Sequence, residues 1–257
     1  MALRSIWNGT ISFGLVKVPV KLYSAIDPKG IAFREIHVKD TSLLQHRRVC
    51  KQENKVVERD EVAKGYEVRP GEYVLLSNEE VKAASGERPK TIEIDEFVDV
   101  EAIDPFFFNK SYFLGVRDVE EPYALLAAAL RESGKAGIGR FTFHNREYLV
   151  ALRAGEDRLF LHTLRYEDEI IEPGDLDMPE GRKKPTRKEV EMARRLVAGL
   201  TEDFDPGEFQ DEYRAAVMDL IERKAAGKKP RKKRVRKREK PDDLAKALEK
   251  SLAAQGS

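Results

Sequence analysis

Alternating apolar and polar residues at the start of the chain constrain its fold more than any other feature. Residues 4–25 contain two such runs. In the second run every other position is apolar, at Val16, Val18, Val20 and Leu22. This period of two is typical of strands with one buried face. Gly14 lies between the runs and favours a turn, and Pro19 favours an edge position or a bulge, since proline has no backbone N–H. We therefore expect an opening β-hairpin at an exposed rim of a sheet.

Short strand-like segments separated by turn residues continue to residue 164. The predicted strands are Ile31–Val38, Glu72–Leu76, Thr91–Val98 and an antiparallel meander of Gly137–Phe143, Glu147–Leu152 and Arg158–Leu164, and Ser111–Val116 is a further apolar run. The alternation slips after Asp95, which favours a β-bulge. A helical pattern over Glu120–Ser133 ends at Gly134. Chains with many strands and one covering helix usually close into a barrel or a sandwich, so we predict a mainly β domain.

A long polar segment, Lys39–Tyr66, interrupts the strands and has few periodic apolar positions. Segments of this length without a core pattern are usually functional. Basic side chains in and near it could contact a polyanion, which requires surface Lys and Arg rather than a special spacing. The candidates are Lys17, Lys21, Arg34, Lys39, Arg47, Arg48, Lys51, Lys55 and Arg59. A solvated surface explains each of them equally well. Tyr66 is the main aromatic residue available for base stacking, so backbone contact to duplex is favoured over single-strand binding.

Charge is unevenly distributed along the chain. The formal net charge is only +1, but residues 228–240 carry ten Lys or Arg and one Glu. Residues 241–257 carry two Lys against three acids, which leaves the other 227 residues with seven more acidic than basic groups. A basic tail on an acidic body indicates a polyanion partner, although a disordered solubilising tail has the same composition. The candidate contacts are Lys228, Lys229, Arg231, Lys232, Lys233, Arg234, Arg236, Lys237 and Arg238.

The C-terminal region changes from strands to helices. A linker-like stretch is followed by Thr186 and Glu189 at capping-box spacing, and by Asp205 and Pro206 as a second helix start. The second helix carries the apolar stripe Phe209, Tyr213, Val217, Leu220 and Ile221. Two helices without a core of their own either fold back on the barrel or contact a second subunit, and both remain open. Leu244, Leu248 and Leu252 predict a further short helix that a partner would order.

Several function classes lack support in the sequence. The single cysteine, Cys50, cannot form an intrachain disulfide, and the four histidines form no ligand-spaced cluster. Residues Gly134–Arg140 lack the ending that a phosphate-binding P-loop requires. The longest apolar run, Tyr123–Leu130, is too short to span a membrane. We therefore predict a cytoplasmic protein without catalytic residues, cofactor, metal or membrane partner.

Several blocks along the chain resemble prokaryotic Ku, the DNA-end-binding family of non-homologous end joining. The blocks are Ile6–Ala25, Phe33–Asp40, Arg47–Cys50, Lys64–Val68, Ile92–Val98, Asp104–Leu114, Gly137–Leu152 and Leu161–Ile170, and the helical region extends the resemblance to about residue 227. One departure concerns Cys50 and Glu53, where relatives often have a C-x-x-C pair. This departure weakens any zinc or disulfide hypothesis at that turn.

The resemblance implies a seven-stranded β-barrel core (residues 1–180) whose long arm (about residues 39–90) helps to form a ring. It also implies a helical C-terminal arm (181–227), expected to dimerise and to contact DNA ligase D, before the basic tail (228–257). The ring would be a homodimer that binds double-stranded DNA ends without sequence preference and recruits or stimulates the ligase near the bacterial nucleoid. The alternative from composition is a nucleic-acid-binding scaffold without an end requirement. A metal-dependent nuclease is a third class, against which the missing ligand cluster argues.

Overall fold

The computed structural model describes residues 3–85, 90–143, 146–175 and 185–228. Seven of its nine strands close a barrel in the order β1-β2-β6-β9-β8-β7-β5, and β3 and β4 form a separate hairpin. The strands are β1 (Trp7–Phe13), β2 (Val16–Ser24), β3 (Lys64–Arg69), β4 (Glu72–Leu76), β5 (Thr91–Asp99), β6 (Phe108–Val116), β7 (Lys135–Phe143), β8 (Arg146–Ala154) and β9 (Leu159–Leu164). The helices are α1 (Asn78–Ser85), α2 (Glu121–Ser133), α3 (Arg187–Gly199) and α4 (Glu212–Ala225). The prediction of a mainly β fold with a seven-stranded barrel is confirmed.

Alternation of buried and exposed positions builds the barrel core. Ile11, Val18, Val20 and Leu22 are fully buried, and the outward-facing residues between them remain accessible. Burial of each such side chain contributes about 1.5–3 kcal/mol to folding. The barrel closes through a parallel pairing of β1 with β5, while its other strand pairs are antiparallel.

Helix α2 covers one side of the barrel through Tyr123. Its hydroxyl donates a hydrogen bond to the carbonyl oxygen of Leu114 at 2.6 Å and accepts one from the backbone N–H of Leu159 at 2.8 Å. The helix is thereby fixed to β6 and β9. It ends at Gly134, whose φ of 64° is the left-handed conformation that glycine adopts without strain. The predicted helix and its stop are confirmed.

Two expectations for the strands are wrong. Pro19 does not mark an exposed rim, because β2 lies between β1 and β6 in a closed barrel. The pairing of β2 with β6 starts at the next residue, Val20, so the proline stands at the end of that ladder. The predicted strand Ile31–Val38 is not formed. Only Ile36 is paired, in an isolated bridge, and no neighbouring sheet buries the apolar side chains of this segment. The predicted bulge is confirmed by a register shift between Ile94 and Glu96.

The connection between β2 and β5 (residues 25–90, hereafter the β2–β5 connection) has no buried residue in its described part. Its first half contains two small hairpins of the same design, bridged by Ile36 with Leu43 and by Val49 with Val56. Each turn contains a residue with positive φ, Thr41 at 58° and Asn54 at 55°. Its second half contains the β3–β4 hairpin and α1. Backbone hydrogen bonds rather than a hydrophobic core therefore hold this segment together.

The chain divides into two compact units, Met1–Lys29 with Phe33–Pro173, and Gly30–Ala32 with Gly174–Ser257. In the second unit the predicted capping box is confirmed, since Thr186 and Glu189 cap α3 reciprocally. The predicted start of the next helix is wrong: Asp205 caps only a short 3₁₀ turn, and α4 begins at Glu212 with Asp211 as its cap. No described residue of α3 or α4 is buried.

Candidate nucleic-acid interface

Three of the predicted basic residues line one groove in the β2–β5 connection. Arg47, Arg48 and Arg59 surround a cavity of about 660 Å³, together with His46, Val56, Val57 and Glu58. The bridge between Val49 and Val56 returns the chain beside its own earlier residues. The three guanidinium groups thus come from positions eleven and twelve residues apart and share one concave surface.

The nine predicted basic residues outside the tail differ in their pairing from several other cations of the barrel. Lys135 contacts Asp99 at 2.8 Å, and Arg140 contacts Asp95 at 3.1 Å. In contrast, none of the nine predicted basic residues outside the tail forms an ion pair within the described residues. Unpaired exposed cations are available to replace the counterions of a phosphate backbone.

The other basic residues predicted to contact a polyanion lie outside the lining of this groove. Lys17 and Lys21 occupy the outward face of β2, as the alternation predicts. Arg34 and Lys39 are exposed near the first small hairpin, and Lys51 and Lys55 lie in and beside the turn of the second. In the basic tail, Lys228 is exposed. The other tail candidates, Lys229 to Arg238, lie outside the described residues, as does the predicted helix around Leu244 to Leu252.

Charge separates the two halves of the β2–β5 connection. Residues 34–59 carry seven Lys or Arg against four Asp or Glu. Residues 60–80 reverse the balance, with two basic against six acidic groups. A duplex would therefore be attracted to residues 34–59, which hold the arginine groove, and repelled by residues 60–80.

Carboxylate and thiol groups in the small hairpins serve their turns. Hydrogen bonds from Ser42 lower the pKa of Asp40, which accepts from the Ser42 N–H at 3.0 Å and the Ser42 hydroxyl at 2.7 Å. Backbone N–H groups of Glu53 and Gln52 lower the pKa of the Cys50 thiol. Among the described residues no group of three or more His, Cys, Asp or Glu is placed to hold a metal ion.

Exposed apolar side chains identify surfaces that the described chain leaves uncovered. On the β3–β4 hairpin, Tyr66 and Val74 face each other across the strands and are 67% and 48% exposed. On α4, the predicted partner residues Tyr213, Leu220 and Ile221 are exposed and Val217 is half-buried. Apolar surfaces of this kind typically mark contacts with another protein.

Sequence reasoning selected the groove arginines individually but did not group them. The grouping depends on the pairing of Val49 with Val56 and on the hydrogen bond from the Val57 N–H to the Arg48 carbonyl, neither of which has a periodic signal. His46 and Glu58 also line the groove, and Glu35 contacts His46 at 3.1 Å.

Within the part of the chain that is described, no helix has both the length and the apolar composition to cross a membrane.

Comparison with known proteins identifies the family. The model of the Ku70/Ku80 beta-barrel domain family matches residues 12–192. The chain is 41% identical to the non-homologous end joining protein Ku of Solibacter usitatus, over 97% of this chain and 93% of the relative. It is 36% identical to the protein of the same name from Bacillus subtilis, over 97% of this chain and 82% of that relative. The closed seven-stranded barrel agrees with this match, and the chain belongs to the Ku family.

Proposed function

We propose that this protein binds double-stranded DNA ends without sequence preference, as a ring-shaped homodimer, in non-homologous end joining. The observation that carries the proposal is the β2–β5 connection, a segment of more than 60 residues without a buried residue in its described part. A segment that is held by backbone hydrogen bonds and exposes this much apolar and basic surface is suited to contact partners. Its arginine groove offers unpaired cations to phosphates, and its β3–β4 hairpin offers an apolar surface to a second subunit.

The absence of sequence preference follows from the kind of groups available. Arginine and lysine side chains that contact phosphates fix position and register but do not read base edges. The candidate contacts are Lys17, Lys21, Arg34, Lys39, Arg47, Arg48, Lys51, Lys55 and Arg59, with the tail residues from Lys228 to Arg238 adding nonspecific affinity. Relatives named for non-homologous end joining support DNA as the polyanion.

The protein's role toward a ligase is non-catalytic in this proposal. The apolar residues of α4, exposed Tyr213, Leu220 and Ile221 with half-buried Val217, would form the surface that recruits DNA ligase D or completes the dimer. Substituting Tyr213→Ser and Ile221→Ser should weaken ligase binding by at least about tenfold if these side chains are interface anchors. Leu125→Ser provides the control, because Leu125 is at least as exposed as Tyr213 and Ile221 but lies on α2. An unchanged ligase affinity in the α4 variant would show that the ligase contacts another surface.

One experiment separates an end-binding ring from a general nucleic-acid scaffold. The purified protein is mixed with one plasmid, linearised or covalently closed, at equal mass and equal salt, so that the electrostatic contribution is common to both. A ring that threads from an end shifts the linear form alone. Equal shifts of both forms would support the scaffold without an end requirement.

A further inference from the structure

A second cavity lies at the mouth of the barrel, where β6 and β8 begin and β9 ends. Leu164 at the end of β9 pairs with Phe108 of β6 and with Leu149 of β8, which brings the starts of those two strands to either side of it. The cavity has a volume of about 260 Å³. Its lining shares no residue with the arginine groove.

The charge of this cavity favours an anion. Lys110 and Arg146 line it, and neither forms an ion pair within the described residues. The Arg146 guanidinium lies over the Tyr148 ring, 5.3 Å from its centroid, so a cation–π contact holds it at the cavity wall. Glu169 also lines the cavity, but its carboxylate already accepts the Tyr166 N–H at 2.9 Å. Two cations against one carboxylate leave the site with positive charge.

Aromatic side chains supply the rest of the surface. The rings of Tyr112, Tyr148 and Tyr166 line the cavity beside the amide of Asn109. Burial and the neighbouring Tyr148 raise the pKa of Tyr112, which keeps its hydroxyl protonated and able to donate a hydrogen bond. Aromatic faces stack on nucleobases of any identity, and an asparagine amide can both donate to and accept from a base edge.

We propose that this cavity binds a single phosphorylated nucleotide, with Lys110 and Arg146 contacting the phosphate and the tyrosine rings contacting the base. Its volume of about 260 Å³ lies just below the roughly 300–1,000 Å³ of ordinary ligand pockets, so the cavity has room for one nucleotide at most and not for a duplex. The nucleotide is either free in solution or the terminal residue of a DNA strand. The second source rests on the proposed function, and the first is independent of it.

The first arm of the test titrates the full-length protein with deoxyadenosine monophosphate by calorimetry. We expect saturable binding that weakens by about tenfold or more in Lys110→Gln or Arg146→Gln, because each removes a charge-assisted hydrogen bond. Lys135→Gln is the matched control, since it removes the same charge at the end of the barrel where β7 begins. Deoxyadenosine without the phosphate should bind at least tenfold more weakly than the monophosphate.

The second arm compares DNA ends that carry a 5′-phosphate with the same ends carrying a 5′-hydroxyl. A preference for the phosphorylated end that disappears in Lys110→Gln identifies the terminal nucleotide as the ligand. Monophosphate binding without an end preference identifies a free nucleotide. The proposal is overturned if neither arm shows phosphate-dependent binding, or if Lys135→Gln has the same effect as Lys110→Gln. In that case the comparison of linear with closed plasmid would still test the proposed end binding, so the nucleotide site and the end-binding function can fail separately.

Discussion

The backbone N–H of Val57 donates a hydrogen bond to the carbonyl oxygen of Arg48 at 2.9 Å. Together with the bridge between Val49 and Val56, this bond fixes the distance between two stretches of a segment that has no buried residue in its described part. It places Arg59 beside Arg47 and Arg48 in one groove. The electrostatic surface of the β2–β5 connection therefore depends on local backbone pairing, not on a hydrophobic core.

Neutralising the groove should reduce the salt dependence of DNA binding. In the triple variant Arg47→Gln, Arg48→Gln and Arg59→Gln, the slope of log affinity against log salt should fall by about 0.9 for each lost phosphate contact. Titrations of linear duplex at several salt concentrations measure this slope. A variant of the ion-paired cations Lys135 and Arg140 provides the control and should keep the wild-type slope. A triple variant with an unchanged slope would show that the groove does not contact phosphates.

Substitutions on the β3–β4 hairpin should separate the subunits. Tyr66→Thr with Val74→Thr removes a directly opposed and exposed apolar pair but keeps residues that favour strands. In the proposed homodimer, we expect the variant to sediment as a monomer in analytical ultracentrifugation at concentrations where the wild type sediments as a dimer, and to keep the unfolding midpoint of the barrel. Leu15→Thr is the control, because Leu15 is fully exposed in the turn between β1 and β2. If the double variant remains dimeric, the subunits meet through another surface.

The backbone of β5 lies so close to Gly139 that no side chain fits at this position. A Cβ built there would lie 1.9 Å from the carbonyl oxygen of Glu93, next to the register shift of that strand. Gly139→Ala should therefore lower the free energy of unfolding by about 1–3 kcal/mol, the usual cost of overpacking. Urea denaturation measures the loss. Gly30→Ala should cost far less, since a Cβ there meets nothing within 4 Å. Equal stability of both variants would contradict the barrel packing.

Acidification should destabilise the barrel through His162. Burial, reinforced by the charge of Arg153, lowers the pKa of His162 to about 4. The unfolded chain therefore binds a proton near pH 6.5 that the folded chain does not bind until about pH 4, so the free energy of unfolding falls as the pH drops through this window. The variant His162→Gln should lose this part of the pH dependence in urea denaturation, whereas substitution of the exposed His37 should not. The same acid dependence in His162→Gln as in wild type would rule out this histidine as its source.

The barrel could be predicted from sequence because its signals are local. The alternation of Val16 to Leu22, the slip after Asp95 and the stop at Gly134 each reflect a backbone or burial constraint within a few residues. Closure into a barrel rather than a sandwich could not be predicted from these signals. It depends on the parallel pairing of Thr10 with Thr91, which is 81 positions away.

The β2–β5 connection was less predictable for a physical reason. All six residues of β3 are exposed, so this strand carries no buried alternation, and its first three residues fall within the predicted polar segment. The apolar residues of Ile31–Val38 predicted a strand, but within the described chain only Ile36 of this segment is paired, in an isolated bridge with Leu43. Individual basic residues could be selected from composition. Their grouping in one groove, with Arg47 and Arg48 beside Arg59, depends on the β-bridge between Val49 and Val56, which has no signal in the sequence.

A trapping measurement tests the central claim most directly. The protein is loaded on linear duplex with biotin at both ends, the ends are then blocked with streptavidin, and the salt concentration is raised until electrostatic contacts dissociate. A closed ring should remain on the blocked DNA and leave the unblocked DNA, because only an open end lets it slide off. Equal loss from blocked and unblocked DNA would contradict a ring that encircles the duplex.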